Sequence, residues 1–212
     1  MSRCRICIAK IGGSLLSTVD LQPRLRKWLR REMATQQDTH YLLIAGGGKL
    51  VDAVRDIDRV SQIDSAVAHW ICVDLMDITA RLLGAMLPDV TVVERFQQVE
   101  ERVDHPGVTI FCPSDFLRQI EPQQPGTRLA ADWSVTSDAI AGRLAVVLAA
   151  DEVVLVKSVA PPATKLETLS QRLVELAALG YVDQFLIKLA RELVSLRFAV
   201  LPACGTSCVT VN

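Results

Sequence analysis

An excess of charge of either sign is missing from this 212-residue sequence: 23 Lys and Arg stand against 24 Asp and Glu, for a net charge of -1. Both signs are spread along the chain, so no broad positive field is present to hold a nucleic acid or an anionic membrane. Long apolar runs are missing too. The most hydrophobic window, Ala139 to Ala150, is interrupted by Gly142 and Arg143 and is too short to span a bilayer. A basic leader followed by an apolar stretch and a cleavage site is likewise absent, because Met1 to Arg5 runs straight into strand-like sequence. These absences predict a cytoplasmic protein whose partner is a small molecule. Cysteine is sparse, with six residues at positions 4, 7, 72, 112, 204 and 208, and is expected as reduced, buried thiols. Cys4-x-x-Cys7 has a spacing that can bind zinc, but in an alternating strand its two side chains point to opposite faces. No metal site built from side chains is expected.

What the chain does have is apolar sequence in short, punctuated segments. Half of the residues are hydrophobic, enough for one substantial core, and a single domain over residues 1–212 is expected. Arg3 to Ile11, Tyr41 to Ala45, Val90 to Val93, Val108 to Cys112, Glu152 to Val156, Phe198 to Leu201 and Cys208 to Val211 read as strands. Helical patterns alternate with them: Ser14 to about Thr35, Gly48 to Val60, Asp64 to Met86, part of Glu94 to Asp104, Asp138 to Ala149, Thr168 to Leu179 and Phe185 to Val194. In Asp64 to Met86 the apolar residues Val67, Ile71, Leu75, Ile78, Leu82 and Met86 recur at helical spacing, which predicts a core-facing stripe. Asp77 and Arg81 read as a surface i, i+4 pair, and Glu121 to Gly126, with two prolines, as a surface loop. The pattern predicts an α/β fold, a three-layer α/β/α sandwich with a mostly parallel sheet of about eight strands.

Three polar constellations interrupt this apolar background. Lys10-Ile11-Gly12-Gly13-Ser14 places a lysine at a strand end, glycines that admit phosphate oxygens to the main chain, and a hydroxyl. A tight turn capped by Ser14 would use the same residues. Ala45-Gly46-Gly47-Gly48-Lys49 repeats the arrangement one unit later and predicts a second anion or polar site at the carboxyl edge of the sheet. Neither stretch fits the P-loop or the dinucleotide fingerprint. Asp132-Trp133-Ser134-Val135-Thr136-Ser137-Asp138 gathers two carboxylates and three hydroxyls ahead of a helix. It suggests a lined pocket, or a capped helix with Trp133 as packing anchor.

Taken in order, Lys10 to Ser14, Gly46 to Gly48, Thr136-Ser137-Asp138 with its alanine-rich helix, and Asp151 to Val156 resemble the amino acid kinase superfamily. That resemblance implies a phosphotransferase using ATP and Mg2+, with at least a dimeric assembly through helices. It implies Lys10 at the transferring phosphoryl group, Gly12, Gly13 and Ser14 at ATP phosphates, and Gly46, Gly47 and Gly48 facing the acceptor. Asp138 would orient Lys10, a carboxylate fixing an ammonium beside developing negative charge. Lys157 and Ser158 stand where related kinases begin their nucleotide-binding segment. Many relatives have an acidic, glycine-containing loop there, whereas this chain continues Val159-Ala160-Pro161-Pro162, and the adenine contacts would differ accordingly.

Within the superfamily, Ala68-His69-Trp70 leading to Met76-Asp77, the Asp132 to Asp138 segment and the Tyr181-Val182-Asp183 turn are similar to the branch that includes the methanofuran-pathway kinase acting on aminomethylfuran phosphate. That likeness implies a phosphate acceptor, with His69, Trp133, Ser134, Thr136 and Ser137 on the acceptor side. A uridylate-type nucleoside monophosphate kinase is the alternative enzyme, and a non-catalytic ligand-binding or storage protein on the same fold the alternative class.

Overall fold

A computed structural model describes residues 3–163, 168–201 and 210–211. The apolar runs form β1 (Arg5–Ile11), β2 (Thr39–Ala45), β3 (Thr91–Val93), β4 (Gly107–Phe111), β5 (Glu152–Lys157), β6 (Leu196–Val200) and β7 (Thr210–Val211). Between them lie α1 (Leu21–Thr35), α2 (Gly48–Ser61), α3 (Ser65–Met86), α4 (Phe96–Val103), α5 (Ser137–Val147), α6 (Leu169–Ala178) and α7 (Leu186–Leu189). One sheet runs in the order β3-β4-β2-β1-β5-β6-β7, parallel apart from the β6–β7 pair. The described residues thus hold seven strands where about eight were expected, within the expected α/β class. Cys204, Cys208 and residues 164–167 lie outside the described residues.

β2 is buried along its whole length, as a central parallel strand with helices on both faces must be. The period of two sorts the side chains. Ile6, Ile8, Leu42 and Ile44 face one way, into a cluster with Ile140 and Leu144 of α5. Cys7, Ala9, Ile11, Tyr41 and Leu43 face the other way, against Leu25 and Leu29 of α1. Each fully buried aliphatic side chain contributes about 2 kcal/mol relative to exposure, so this two-sided burial fixes the register of the central strands.

Several expectations require correction. No continuous helix leads from Ser14 to Thr35. A 3-10 turn at Gly13–Ser17 ends where the Thr18 main-chain N–H and hydroxyl both donate to the Leu15 carbonyl, and Asp20 takes a left-handed conformation (φ 59°) before α1 begins. The stripe on α3 is not core, because Val67, Ile71, Ile78 and Leu82 face outward. Small residues on the opposite side bring the helix close: Ala68, Ala80 and Gly84 are buried, and a Cβ on Gly84 would meet Val92 at 2.3 Å. Asp77 is buried and accepts from the Ser114 main-chain N–H and hydroxyl, while Arg81 pairs with Glu94 at 2.9 Å. Glu121 is no loop-surface residue. It opens a short 3-10 turn (Glu121–Gln123) and pairs at 3.0 Å with the fully buried Arg143, a cation that must be neutralised where water cannot reach it. The helix expected over Phe185 to Val194 is regular only at Leu186–Leu189, and past it Glu192 turns its carboxylate to the Thr127 main-chain N–H.

Candidate active site at the carboxyl edge of the sheet

Three parallel strands end level, with Ile11 paired to both Ala45 and Val156. The turns that follow them therefore meet at one place. The Gly46 N–H donates to the Ile11 carbonyl at 2.9 Å, and an idealised Cβ on Gly13 would lie 2.2 Å from the Gly48 nitrogen. The two glycine bends are in main-chain contact, a distance that no side chain tolerates. Strand parity does the rest. Lys10 shares the face of Ile8, and Lys157 that of Leu155, so both ammonium groups rise on the α5 side of the sheet, beneath the first turn of that helix.

Asp138 descends from this turn and sits between them. Lys10 Nζ lies 2.8 Å from Oδ1 and Lys157 Nζ 2.7 Å from Oδ2. The Lys10 contact is electrostatic and lacks hydrogen-bond alignment, whereas Lys157 makes a true hydrogen bond and a second one to the Tyr181 carbonyl at 2.9 Å. All three side chains are buried or nearly so. Burial alone would raise the Asp138 carboxyl, but the two ammonium groups outweigh it and hold the carboxyl below the usual range. Burial first, then repulsion from Lys10, lowers the Lys157 ammonium, against the pull of Asp138. Two ammonium groups share the one Asp138 carboxylate in a poorly solvated place, so each keeps attraction to spare for an incoming anion.

A cavity of about 600 Å³ opens over this cluster. Of the expected residues, Lys10, Gly13, Ser14, Gly47, Gly48, His69, Trp133, Thr136, Ser137, Asp138 and Lys157 line it. Gly12, Gly46, Ser134 and Ser158 do not. A Cβ on Gly12 would meet the Val156 carbonyl at 3.0 Å, and Gly46 packs on Gly13. Ser134 donates to Asp132, and Ser158 pairs with the Ser14 hydroxyl at 3.3 Å. His69 is buried with Nδ1 3.3 Å from the Asp132 carbonyl, and burial lowers its pKa despite that contact. The neutral ring donates from Nδ1 there and so carries no proton on Nε2. Trp133 is neither a core anchor nor free. Its Nε1–H donates to Asp58 at 2.9 Å, and the Arg55 guanidinium lies 5.4 Å over its ring, tying the segment before α5 to α2.

Asp183 was missed as a site residue. Thr136 or Ser137 reads in the sequence as the cap of α5, yet the N-cap residue Thr136 makes no side-chain capping bond; the Asp183 carboxylate, in the turn after α6, accepts from the Thr136 and Ala139 N–H groups instead. Arg55 and Lys49 on α2 also line the cavity. Lys49 follows a glycine bend, and Arg55 lies two turns into the same amphipathic helix, a signal that was available in the sequence.

Residues 5–165 match the amino acid kinase family. Over 155 residues the chain is 24% identical to the [5-(aminomethyl)furan-3-yl]methyl phosphate kinase of Methanocaldococcus jannaschii, covering 72% of this chain and 65% of that relative's length. Uridylate kinase from Archaeoglobus fulgidus superposes with a TM-score of 0.60 at 21% identity, over 92% of this chain and 89% of its own. UMP kinase from Bacillus anthracis gives 0.64 at 14% identity over all of both chains. At such identities these two structures establish a shared fold. With three-quarters of the sequence matched and the strand ends, glycine bends and buried lysines brought together at one edge, the chain belongs to the amino acid kinase family.

Proposed function

We propose that this protein is an ATP-dependent phosphotransferase acting as one domain on a small metabolite whose acceptor group is itself a phosphate. The observation that carries the reading is the direct contact of the two glycine bends, with the Lys10–Asp138–Lys157 cluster beneath them. Two anions held on adjacent main-chain bends would face each other across the two ammonium groups. That is the arrangement for passing a phosphoryl group between them. The likeness to the methanococcal phosphate kinase supports a phosphate acceptor over a carboxylate or a hydroxyl.

The donor's phosphates fit the bend of Gly13 and Ser14, and the acceptor's phosphate fits Gly47 and Gly48 at the start of α2. Bound ATP supplies an activated phosphoryl group. The bond to the ADP oxygen breaks with its electron pair leaving on ADP, a new bond forms to an acceptor oxygen, and an ionised acceptor phosphate requires no base. Lys10 and Lys157 stabilise the charge that spreads over the transferring group, and Asp138 holds them in place. No cluster of three or more His, Cys, Asp or Glu among the described residues could hold a cation, so Mg2+ would arrive on the phosphate oxygens. A thermal-shift panel with MgATP and phosphate, nucleotide and carboxylate acceptors, followed by ADP release, tests the reading. Acceptor-dependent ADP release with phosphomonoesters is expected, and its absence with every acceptor rejects it. A nucleoside monophosphate kinase would show itself by a preference for UMP.

The outward stripe on α3 points to a second copy of the chain. α2 has no buried residue in its fourteen, although it is amphipathic. Leu50, Ile57 and Val60 on α2, with Val67, Ile71, Ile78 and Leu82 on α3, are between 38% and 85% exposed. With ordinary side-chain areas these seven present roughly 700 Å² per copy, near the ~800 Å² each partner buries in a standard interface and more than a typical monomer leaves bare. The flanking charges, such as Asp52 with Arg55 and Asp56 with Arg59, are paired in both signs and suit a self-complementary contact. Light scattering should give a dimer for the native chain and a monomer for Ile71→Asp. A monomeric native chain, or a variant of unchanged mass, removes the proposal. No described helix is long and apolar enough to cross a membrane, and the expected cytoplasmic location stays part of this reading.

A further inference from the structure

The turn between α6 and α7 holds a partly buried carboxylate at the wall of the cavity that the phosphotransferase reading leaves without a task. Asp183 Oδ2 accepts from the Ala139 N–H at 2.7 Å, the Thr136 hydroxyl at 2.9 Å and the Thr136 N–H at 3.2 Å, and Oδ1 accepts from the Leu186 N–H at 2.8 Å. Three of these donors flank Asp138 in sequence. Two residues earlier in the same turn, the Tyr181 carbonyl accepts from Lys157, whose ammonium lies 5.2 Å from the Tyr181 ring centroid. The Tyr181 hydroxyl in turn donates to the Val159 carbonyl at 2.8 Å. One short turn therefore grips both ends of the Lys157–Asp138 pair and also the segment after β5.

We propose that Asp183 is a positioning residue: its carboxylate fixes the first turn of α5 so that Asp138 sits between Lys10 and Lys157. This deepens the phosphotransferase reading and rests on it for the consequence in turnover. An exposed N-cap aspartate can be replaced by solvent. Here the cap is supplied by a distant segment, and one carboxylate answers three donors of the same turn, so its loss frees the very residues that carry Asp138.

The charged groups that face Asp183 are Asp138 on α5 and Lys157 on β5, and Lys10 on β1 pairs with the same Asp138. Burial, then repulsion from Asp138, raises the Asp183 carboxyl to about 6, against the pull of its hydrogen bonds. An aspartate raised in the folded state binds its proton more tightly there than in the unfolded chain. Its contribution to stability is present below the ordinary aspartate range and is lost as pH rises through about 6. Turnover runs the opposite way. A protonated Asp183 cannot accept from all four donors, so activity should fall as pH drops through the same value.

The test uses Asp183→Asn, which keeps one acceptor for α5 but removes the charge. At pH 8 its kcat should drop by roughly thirtyfold with the KM for MgATP within about twofold. Native kcat in Asp183→Asn overturns the proposal. If the native protein transfers no phosphoryl group to any acceptor, the functional reading alone fails, and a crystal structure of Asp183→Asn decides the positioning claim. Distances from Asp138 to Lys10 and Lys157 unchanged from 2.8 and 2.7 Å would end it.

Discussion

Lys10→Ala should lower kcat by roughly a thousandfold, the size of effect expected when a positioned charge on a transferring phosphoryl group is removed. The fold should survive. In most buried ion pairs, deleting one partner strands the other at a cost of about 3 to 5 kcal/mol. Here Asp138 keeps Lys157 at 2.7 Å, so its carboxylate is not left unpaired. The urea midpoint should therefore move by no more than about 1 kcal/mol equivalent, and the Lys157 ammonium, freed of its neighbour's repulsion, should become harder to deprotonate. Lys10→Arg should not restore activity, because a planar, delocalised guanidinium does not reproduce the compact charge of an ammonium between Asp138 and the transferring group. Native rates of acceptor-dependent ADP release in Lys10→Ala would dismiss the mechanism, whereas a collapsed midpoint would show that the lysine serves the fold.

Gly13→Ala should be the most damaging single methyl group in the chain. Its Cβ would stand 2.2 Å from the Gly48 nitrogen and 2.6 Å from its Cα, both main-chain atoms that no rotamer change can move. The two bends must separate by more than 1 Å or the strand ends must shift. Overpacking of this kind costs about 3 kcal/mol or more, and a displacement of that size between reacting groups costs about a hundredfold in rate. Gly107→Ala is the control: at the start of β4 the added Cβ meets only ordinary contacts at 3.8 Å, so midpoint and kcat should be unchanged. Equal behaviour of the two variants in urea titrations and ADP release would contradict the close contact of the bends.

The helix and strand pattern was legible where the chain is punctuated. Glycine bends after β1 and β2 mark the points at which a buried strand gives way to a helix, and Lys10, Gly13, Gly48 and Asp138 stood out because polar groups and glycines are conspicuous against apolar sequence. Facing was less legible. α3 carries apolar residues on two sides, and periodicity alone favoured the bulky one, whereas close packing against the sheet required the side of Ala68, Ala80 and Gly84. Arg143 and Glu121 were invisible as partners because they lie far apart in sequence and neither has a motif.

The sequence by itself determined the family, the parallel sheet and the residues able to handle phosphate, since these depend on local periods and on residue types within a few positions of one another. Only the tertiary structure decided that Lys157 belongs on Asp138, that the two glycine bends touch, and that α5 is capped by Asp183 from beyond α6. Such pairings depend on strand order and register, which level the ends of β1, β2 and β5 and bring groups more than forty residues apart, such as Asp183 and Thr136, within hydrogen-bonding reach. Burial then gives these contacts their strength, because a charge shielded from water must be answered by whatever neighbour the fold supplies.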